Sequence, residues 1–194
     1  LVQYGLAPER RVRRFIEHVE IIRALWTQDN VSYKGDFYEL DGTNIAPKPA
    51  QSPHPSIWFG ANVEAAIRRA LKYADGWTGA GSSGSADFPR NLALVQSLLA
   101  ADGRTQADFP VSKRVYLAID DDEARALRRL KEWAGGYYGN SDIAERAAIW
   151  GSAAKIQEKL AEWSELGVDE FVLNPVVDLE DTMEQLAVMT GLKA

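Results

Sequence analysis

From Ile57 onward the chain alternates short apolar runs with amphipathic stretches, and that alternation restricts it to a parallel α/β fold. Ile57-Trp58-Phe59-Gly60, Gly76-Trp77-Thr78-Gly79, Val111 to Ile119 and Glu170 to Pro175 read as strands. A helical pattern follows each of them. Asn62 is placed to cap a helix running to about Tyr73, with Ile67, Ala70, Leu71 and Ala74 as its inner stripe. Pro89 starts a helix with Leu92, Val95 and Leu99 inside, stopped by Asp102-Gly103. Asp120-Asp121-Asp122 caps a helix through Trp133 that Gly135-Gly136 is expected to break. A short helix is expected from Ser141 towards Ile149. Ser152 caps the next, with Ile156, Leu160 and Trp163 inside and Gly167 as its stop. Leu179 to Val188 forms the last. Four strands each followed by a helix imply βαβ units with right-handed crossovers.

The segment before Ile57 has another character. Pro8 is expected to open a helix, where its missing N–H costs nothing. Val12, Phe15, Val19, Ile22 and Trp26 recur on that helix at helical spacing. Val31 to Leu40 reads as a hairpin turning at Lys34-Gly35-Asp36. A passage with Pro47, Pro49, Pro53 and Pro55 follows, too poor in donors for a helix or a central strand. The hairpin and this passage, about residues 31–56, are expected as an insertion in a single domain spanning 1–194.

Composition removes several function classes. The net charge is −6 and no basic patch appears, so nucleic acid and anionic membrane surfaces are poor partners. There is no cysteine, which excludes disulfides and thiolate chemistry and suits a cytoplasmic setting. No apolar run approaches the roughly 20 residues that span a bilayer. His18 and His54 stand far apart without an acidic cluster at ligand spacing, so no metal site is expected. Asp120-Asp121-Asp122 lacks the glycine and distal glutamate of a calcium loop. A nucleophile elbow and a dinucleotide fingerprint are both missing.

The order of several motifs resembles the luciferase-like monooxygenase family, particularly its branch using deazaflavin coenzyme F420. They are the Arg-rich segment from Arg13 to Ile-Arg-Ala-Leu-Trp26, Tyr33-Lys34-Gly35-Asp36-Phe37-Tyr38 and Pro47-Lys48-Pro49-Ala50-Gln51. His54 to Gly60, Arg68-Arg69-Ala70, Ala74-Asp75-Gly76-Trp77 and Gly167-Val168-Asp169-Glu170-Phe171 continue the match. The resemblance implies the C-terminal half of a TIM (β/α)8 barrel, with four parallel strands. It implies an oxidoreductase, monooxygenase or dehydrogenase, exchanging a hydride between FMN or F420 and a small organic substrate. A non-catalytic flavin-binding protein or an inactive fragment is the alternative. The family's first four strands and its dimer-forming helices are expected to lie outside this chain. Two copies could pair as a homodimer, or the chain could pair with a missing N-terminal half.

Two loops are the candidate sites. Gly60-Ala61-Asn62 ends a strand just before a helix and aims backbone N–H groups and a positive dipole end outward, which suits phosphate. The resemblance implies that this turn holds the phosphate-bearing tail of the cofactor. Without a ligand, the same residues read as a tight capped βα turn. The second loop follows the next strand, where Trp77, Thr78, Ala80 and Gly81 are candidates for a substrate pocket. It carries no lysine for a sugar phosphate, and a plain surface loop is the competing reading. No catalytic side chain is singled out, because in flavin chemistry the cofactor performs the transfer.

Overall fold

A buried carboxylate, more than the apolar stripe, orients the first helix. The structure, a computed structural model, describes residues 8–81 and 84–192 in two units, Leu1–Ile57 and Trp58–Ala194. In the first unit α1 (Arg11–Thr27) is followed by an antiparallel hairpin, β1 (Val31–Lys34) and β2 (Glu39–Thr43). Glu17, fully buried on α1, accepts the backbone N–H groups of Asp36 at 2.8 Å and Phe37 at 2.9 Å, with Arg13 at 3.1 Å. The helix therefore turns its Ile16-Glu17-Val19 side inward, and Val12, Phe15 and Ile22, expected inside, are exposed. The start of α1 also differs from expectation. It begins at Arg11, three residues after Pro8, because Arg10 adopts a left-handed φ of 59° and pairs with Asp36. Lys48 of the Pro-rich passage donates to the carbonyls of Leu25 at 2.8 Å and Gln28 at 2.6 Å, a cationic cap on the end of α1.

The second unit carries the expected strand–helix alternation. Its elements are β3 (Trp58–Gly60), α2 (Glu64–Tyr73), β4 (Gly76–Gly79), α3 (Phe88–Ala101), β5 (Val111–Ile119), α4 (Glu123–Tyr138), α5 (Ile143–Ala147), β6 (Ile149–Gly151), α6 (Ala153–Glu165), β7 (Glu170–Pro175) and α7 (Leu179–Met189). All strand pairs are parallel: β3 with β4, β4 with β5, and β5 with both β6 and β7. The four expected strands are present. The fifth, β6, falls where the sequence pattern leads to the end of a helix, and its three residues are too few for a periodicity to show.

Local chemistry explains the helix boundaries. Asp122 and Ser152 cap α4 and α6 through the N–H groups of Arg125 at 3.0 Å and Lys155 at 3.4 Å. Asn62 does not cap α2. The cap position is Val63, which offers no side-chain bond. Gly135-Gly136 does not break α4, which continues to Tyr138 and stops at Gly139 with φ 69°. Two interior glycines weaken a helix without ending it, whereas a left-handed glycine ends it.

Register assigns side chains to two faces of the sheet. Thr78 pairs with Ser112 and Ser112 with Glu170, while Tyr116 pairs with Asn174. Strand alternation then places Val111, Lys113, Val115 and Leu117 on one face and Ser112, Arg114, Tyr116 and Ala118 on the other. The first face is buried under helices. Trp77 stacks on Phe88 of α3 at 5.5 Å, and Phe171 stacks on Trp163 of α6 at 6.4 Å. The second face is more open, with Arg114 and Val172 exposed. Towards the end of β5 it is covered, because Tyr116 and Ala118 pack with Ala126, Leu130 and Ala134 of α4 and Ala144 of α5. At the opposite end of the sheet Asp169, within the Gly167–Phe171 motif, accepts the Val111 N–H at 2.8 Å and the Gln106 amide at 2.9 Å.

Candidate functional site

The turn between β3 and α2 is held from below. The indole N–H of Trp77, almost fully buried, donates to the Ala61 carbonyl at 2.8 Å. Asn91 of α3 donates to the Asn62 carbonyl at 3.4 Å. Both carbonyls are thus tied inward, while Gly60 and Asn62 remain exposed. The carbonyl of Val63 accepts from Ala66 at 2.9 Å and Ile67 at 3.0 Å. The N–H groups of Glu64 and Ala65, in the first turn, lie where no intrahelical carbonyl reaches them. Glu64 could repel an anion here, but its carboxylate bonds to Arg68 one turn on, at 2.7 and 2.9 Å.

Gly60 differs from its neighbours in why it is glycine. A Cβ at Gly76 would strike Trp58 at 2.8 Å, one at Gly79 would strike Phe88 at 2.6 Å, and one at Gly81 would strike Tyr116 at 2.7 Å. These three are required by packing. A Cβ at Gly60 would meet only Thr78, at an ordinary 3.7 Å. The surrounding protein therefore does not demand a glycine at the mouth of this turn.

Of the four residues expected in a substrate pocket, the structure places Trp77 on the helix-covered face and Thr78 on the open one. Gly81 lies against the Tyr116 ring, and Ala80 is half-buried. Ser82 and Ser83 of the same loop lie outside the described residues. Beyond them Ser85 donates from its backbone to the Arg146 carbonyl and from its hydroxyl to the Ala147 carbonyl, fastening the loop to α5.

The open face carries polar groups that the strand patterns leave unassigned. Ser112 is 2% exposed and its hydroxyl has no partner among the described residues. Arg114 donates from Nε to Asn174 Oδ1 at 2.5 Å, and its guanidinium stands 5.2 Å from the Tyr116 ring centroid. No carboxylate pairs with Arg114 among the described residues. The Tyr116 and Tyr138 hydroxyls are 2.6 Å apart, and Trp133 lies 4.7 Å from Tyr116. Burial, then the Tyr138 hydroxyl, pushes the Tyr116 phenol up to about 12, so it stays protonated at neutral pH. Tyr137 stacks on Trp133 at 5.4 Å with 68% of its surface exposed. The available sequence signal is Ser112, Arg114 and Tyr116 at every second position of a strand whose other residues, Lys113 apart, are apolar.

Other conspicuous groups have structural partners. Asp120 receives both Nε and Nη2 of Arg125 at 2.6 Å. Asp122 caps α4, so two of the three aspartates at the end of β5 are accounted for. The His18 ring lies tilted against Tyr38 at 4.6 Å, and His54 lies 6.1 Å from Trp26. Lys113 is fully buried between Phe88 and Trp163, with the Arg114 carbonyl 3.1 Å from its Nζ.

Residues 1–144 match the family model of the luciferase-like monooxygenases. The FMNH(2)-dependent dimethylsulfone monooxygenase of Pseudomonas putida is 31% identical over 122 residues, 63% of this chain and 33% of that protein. The F420-dependent glucose-6-phosphate dehydrogenase of Nakamurella multipartita is 33% identical over 137 residues, 69% of this chain and 40% of that protein. The chain thus spans well under half the length of these relatives. Among solved structures, an EDTA monooxygenase from a Chelativorans species superimposes with a TM-score of 0.72 at 15% identity, covering 98% of this chain and 62% of that one. An F420-dependent secondary alcohol dehydrogenase, solved with an F420-acetone adduct, does so with a TM-score of 0.68 at 18% identity, covering 88% and 58%. These likenesses identify the parallel sheet and its helices as part of a luciferase-like (β/α)8 barrel.

Proposed function

Since the chain belongs to the luciferase-like monooxygenase family, we propose that it supplies one side of an FMN or F420 site in an oxidoreductase acting on a small organic substrate. The observation that carries this reading is the turn at Gly60-Ala61-Asn62. Its glycine is not demanded by packing, its carbonyls are tied back by Trp77 and Asn91, and the helix behind it has no side-chain cap. Free first-turn N–H groups and the positive end of the α2 dipole suit a phosphate. Flavin and deazaflavin rings carry the hydride when bound, and the protein positions them and keeps water away.

In this reading the chain's own residues orient and shield. Trp77 fixes the height of the turn, and Gly60 leaves room beside it. Thr78, Arg114 and Asn174 offer polar contacts along the open face, and α4 screens its far end. β3 and β7 each pair on one side only among the described residues, which suits completion of the barrel by further strands.

A fluorescence titration of the purified chain with FMN and with F420 tests the proposal. Saturable binding of one, weakened about tenfold or more by Gly60→Val through steric exclusion, is the expected result. A folded chain that binds neither would overturn it.

A further inference from the structure

Asp178 stands where a helix cap belongs and does not cap. Asp122 before α4 and Ser152 before α6 have extended backbones, and their side chains accept from the first turn of the helix. At Asp178 the backbone is left-handed, with φ 44° and ψ 56°, and no side-chain bond reaches the first turn of α7. A residue with a Cβ holds that conformation only where its surroundings compensate. The compensating contact is Arg129 of α4, whose Nη1 and Nη2 donate to the two carboxylate oxygens at 2.5 and 2.7 Å. One carboxylate therefore has two claimants, the Arg129 guanidinium and the first-turn N–H groups of Glu180 and Asp181. Capping needs the extended backbone, so it cannot serve both at once.

The seat of α4 is shallow enough for this contact to matter. Its buried side is Ala126, Leu130 and Ala134, one leucine and two methyl groups set against Tyr116 and Ala118. Arg125, one turn before Arg129, adds two bonds of 2.6 Å to Asp120. Towards the other end of α4 a Cβ at Gly136 would meet nothing, and one at Gly135 only Ser141, at 4.0 Å. Packing demands neither glycine, and the pair lowers the cost of bending the helix there. Beyond the pair Tyr138 stays tied to Tyr116, with the two hydroxyls 2.6 Å apart.

Resting on the reading of α4 as the screen over the far end of the open face, we propose that Asp178 is a two-position latch. Bound to Arg129, it holds the part of α4 before Gly135 down over Tyr116 and Ala118. Released, it takes the extended backbone, caps α7, and lets that part of α4 lift about the Gly135-Gly136 pair.

Amide hydrogen exchange of the full chain, followed residue by residue at pH 7, tests the latch. Arg129→Gln should quicken exchange from Ala126 to Leu130 severalfold. In the same variant exchange at Glu180 and Asp181 should slow severalfold, because the freed carboxylate now caps α7. Asp178→Asn should act in the same two directions, since asparagine caps as well as aspartate but holds a guanidinium less tightly. Asp178→Ala should quicken α4 without slowing α7. An ordinary ion pair would loosen both helices or leave α7 untouched. Unchanged or faster exchange at Glu180 and Asp181 in Arg129→Gln would therefore overturn the proposal, as would slowing at those amides in Asp178→Ala. The exchange is read without FMN or F420, so this outcome and that of the cofactor titration are independent.

Discussion

The Trp77 indole N–H reaches the Ala61 carbonyl at 2.8 Å, so a residue facing the helix layer sets the position of the turn at the end of β3. Trp77→Phe keeps most of the apolar volume and removes this bond. It leaves a buried carbonyl without its donor and should cost about 1–3 kcal/mol in chemical denaturation. Cofactor affinity should fall in the same variant, because the turn loses its anchor. An unchanged affinity would show that the bond is purely structural.

Gly60 and Gly79 make a matched pair for testing ligand against packing. Gly60→Ala meets an ordinary contact and should leave stability within about 0.5 kcal/mol of the parent. Gly79→Ala drives a methyl into Phe88 and should destabilise by about 1–3 kcal/mol. Thermal unfolding checks both. The first variant should lose cofactor affinity while remaining as stable as the parent.

Lys113 makes stability depend on pH at the alkaline end. Burial lowers its ammonium to about 8, below the ordinary lysine value. The unfolded chain binds the proton more tightly than the folded one, so this contribution improves as pH rises from about 8 towards 10.5. Below about 8 the full penalty applies. Lys113→Met should raise stability at pH 7 by on the order of 1–3 kcal/mol and flatten that alkaline rise. Urea titrations at pH 7 and pH 10 measure both effects. Equal stability gains at the two pH values would contradict the assignment.

The hairpin unit responds at the acid end. Burial alone would raise the Glu17 carboxyl, but the N–H groups of Asp36, Phe37 and Tyr38, with Arg13, hold it below its ordinary value. The stability it lends is present above the ordinary carboxylate range and is lost as pH falls through the lowered value. Glu17→Gln should speed amide exchange at Asp36 and Phe37 by about tenfold or more at neutral pH, reporting weaker acceptors. Amides of the second unit serve as the internal reference.

Four of the five strands of the second unit, and the helices between them, are legible in the sequence because their spacing and caps act locally. Asp122 and Ser152 announce helices wherever they stand. Tertiary relations are less legible. Val12, Phe15 and Ile22 carry a sound helical stripe, yet the buried carboxylate of Glu17 decides which side of α1 faces inward. Asn62 has the right chemistry for a cap, but its carbonyl is engaged by Asn91 and the helix begins one residue later than its side chain could serve. Arg114 and Asn174 lie sixty residues apart, and only the β5–β7 register brings them together. Gly135-Gly136 suggests a break because glycine disfavours helix, and the remaining residues of α4 outweigh that cost. A methyl added at Gly136 would meet nothing within 4 Å, so Gly136→Ala should stabilise the protein by about 0.5–1 kcal/mol. Thermal denaturation would read this as a higher midpoint.

β5 is bonded to β4 near its start, to β7 through its middle and to β6 at its end. A strand shared in this way cannot come free without dissolving three pairings together. Its central amides around Val115 therefore exchange with solvent only through the largest opening of the second unit, and their protection reports the global stability of that unit.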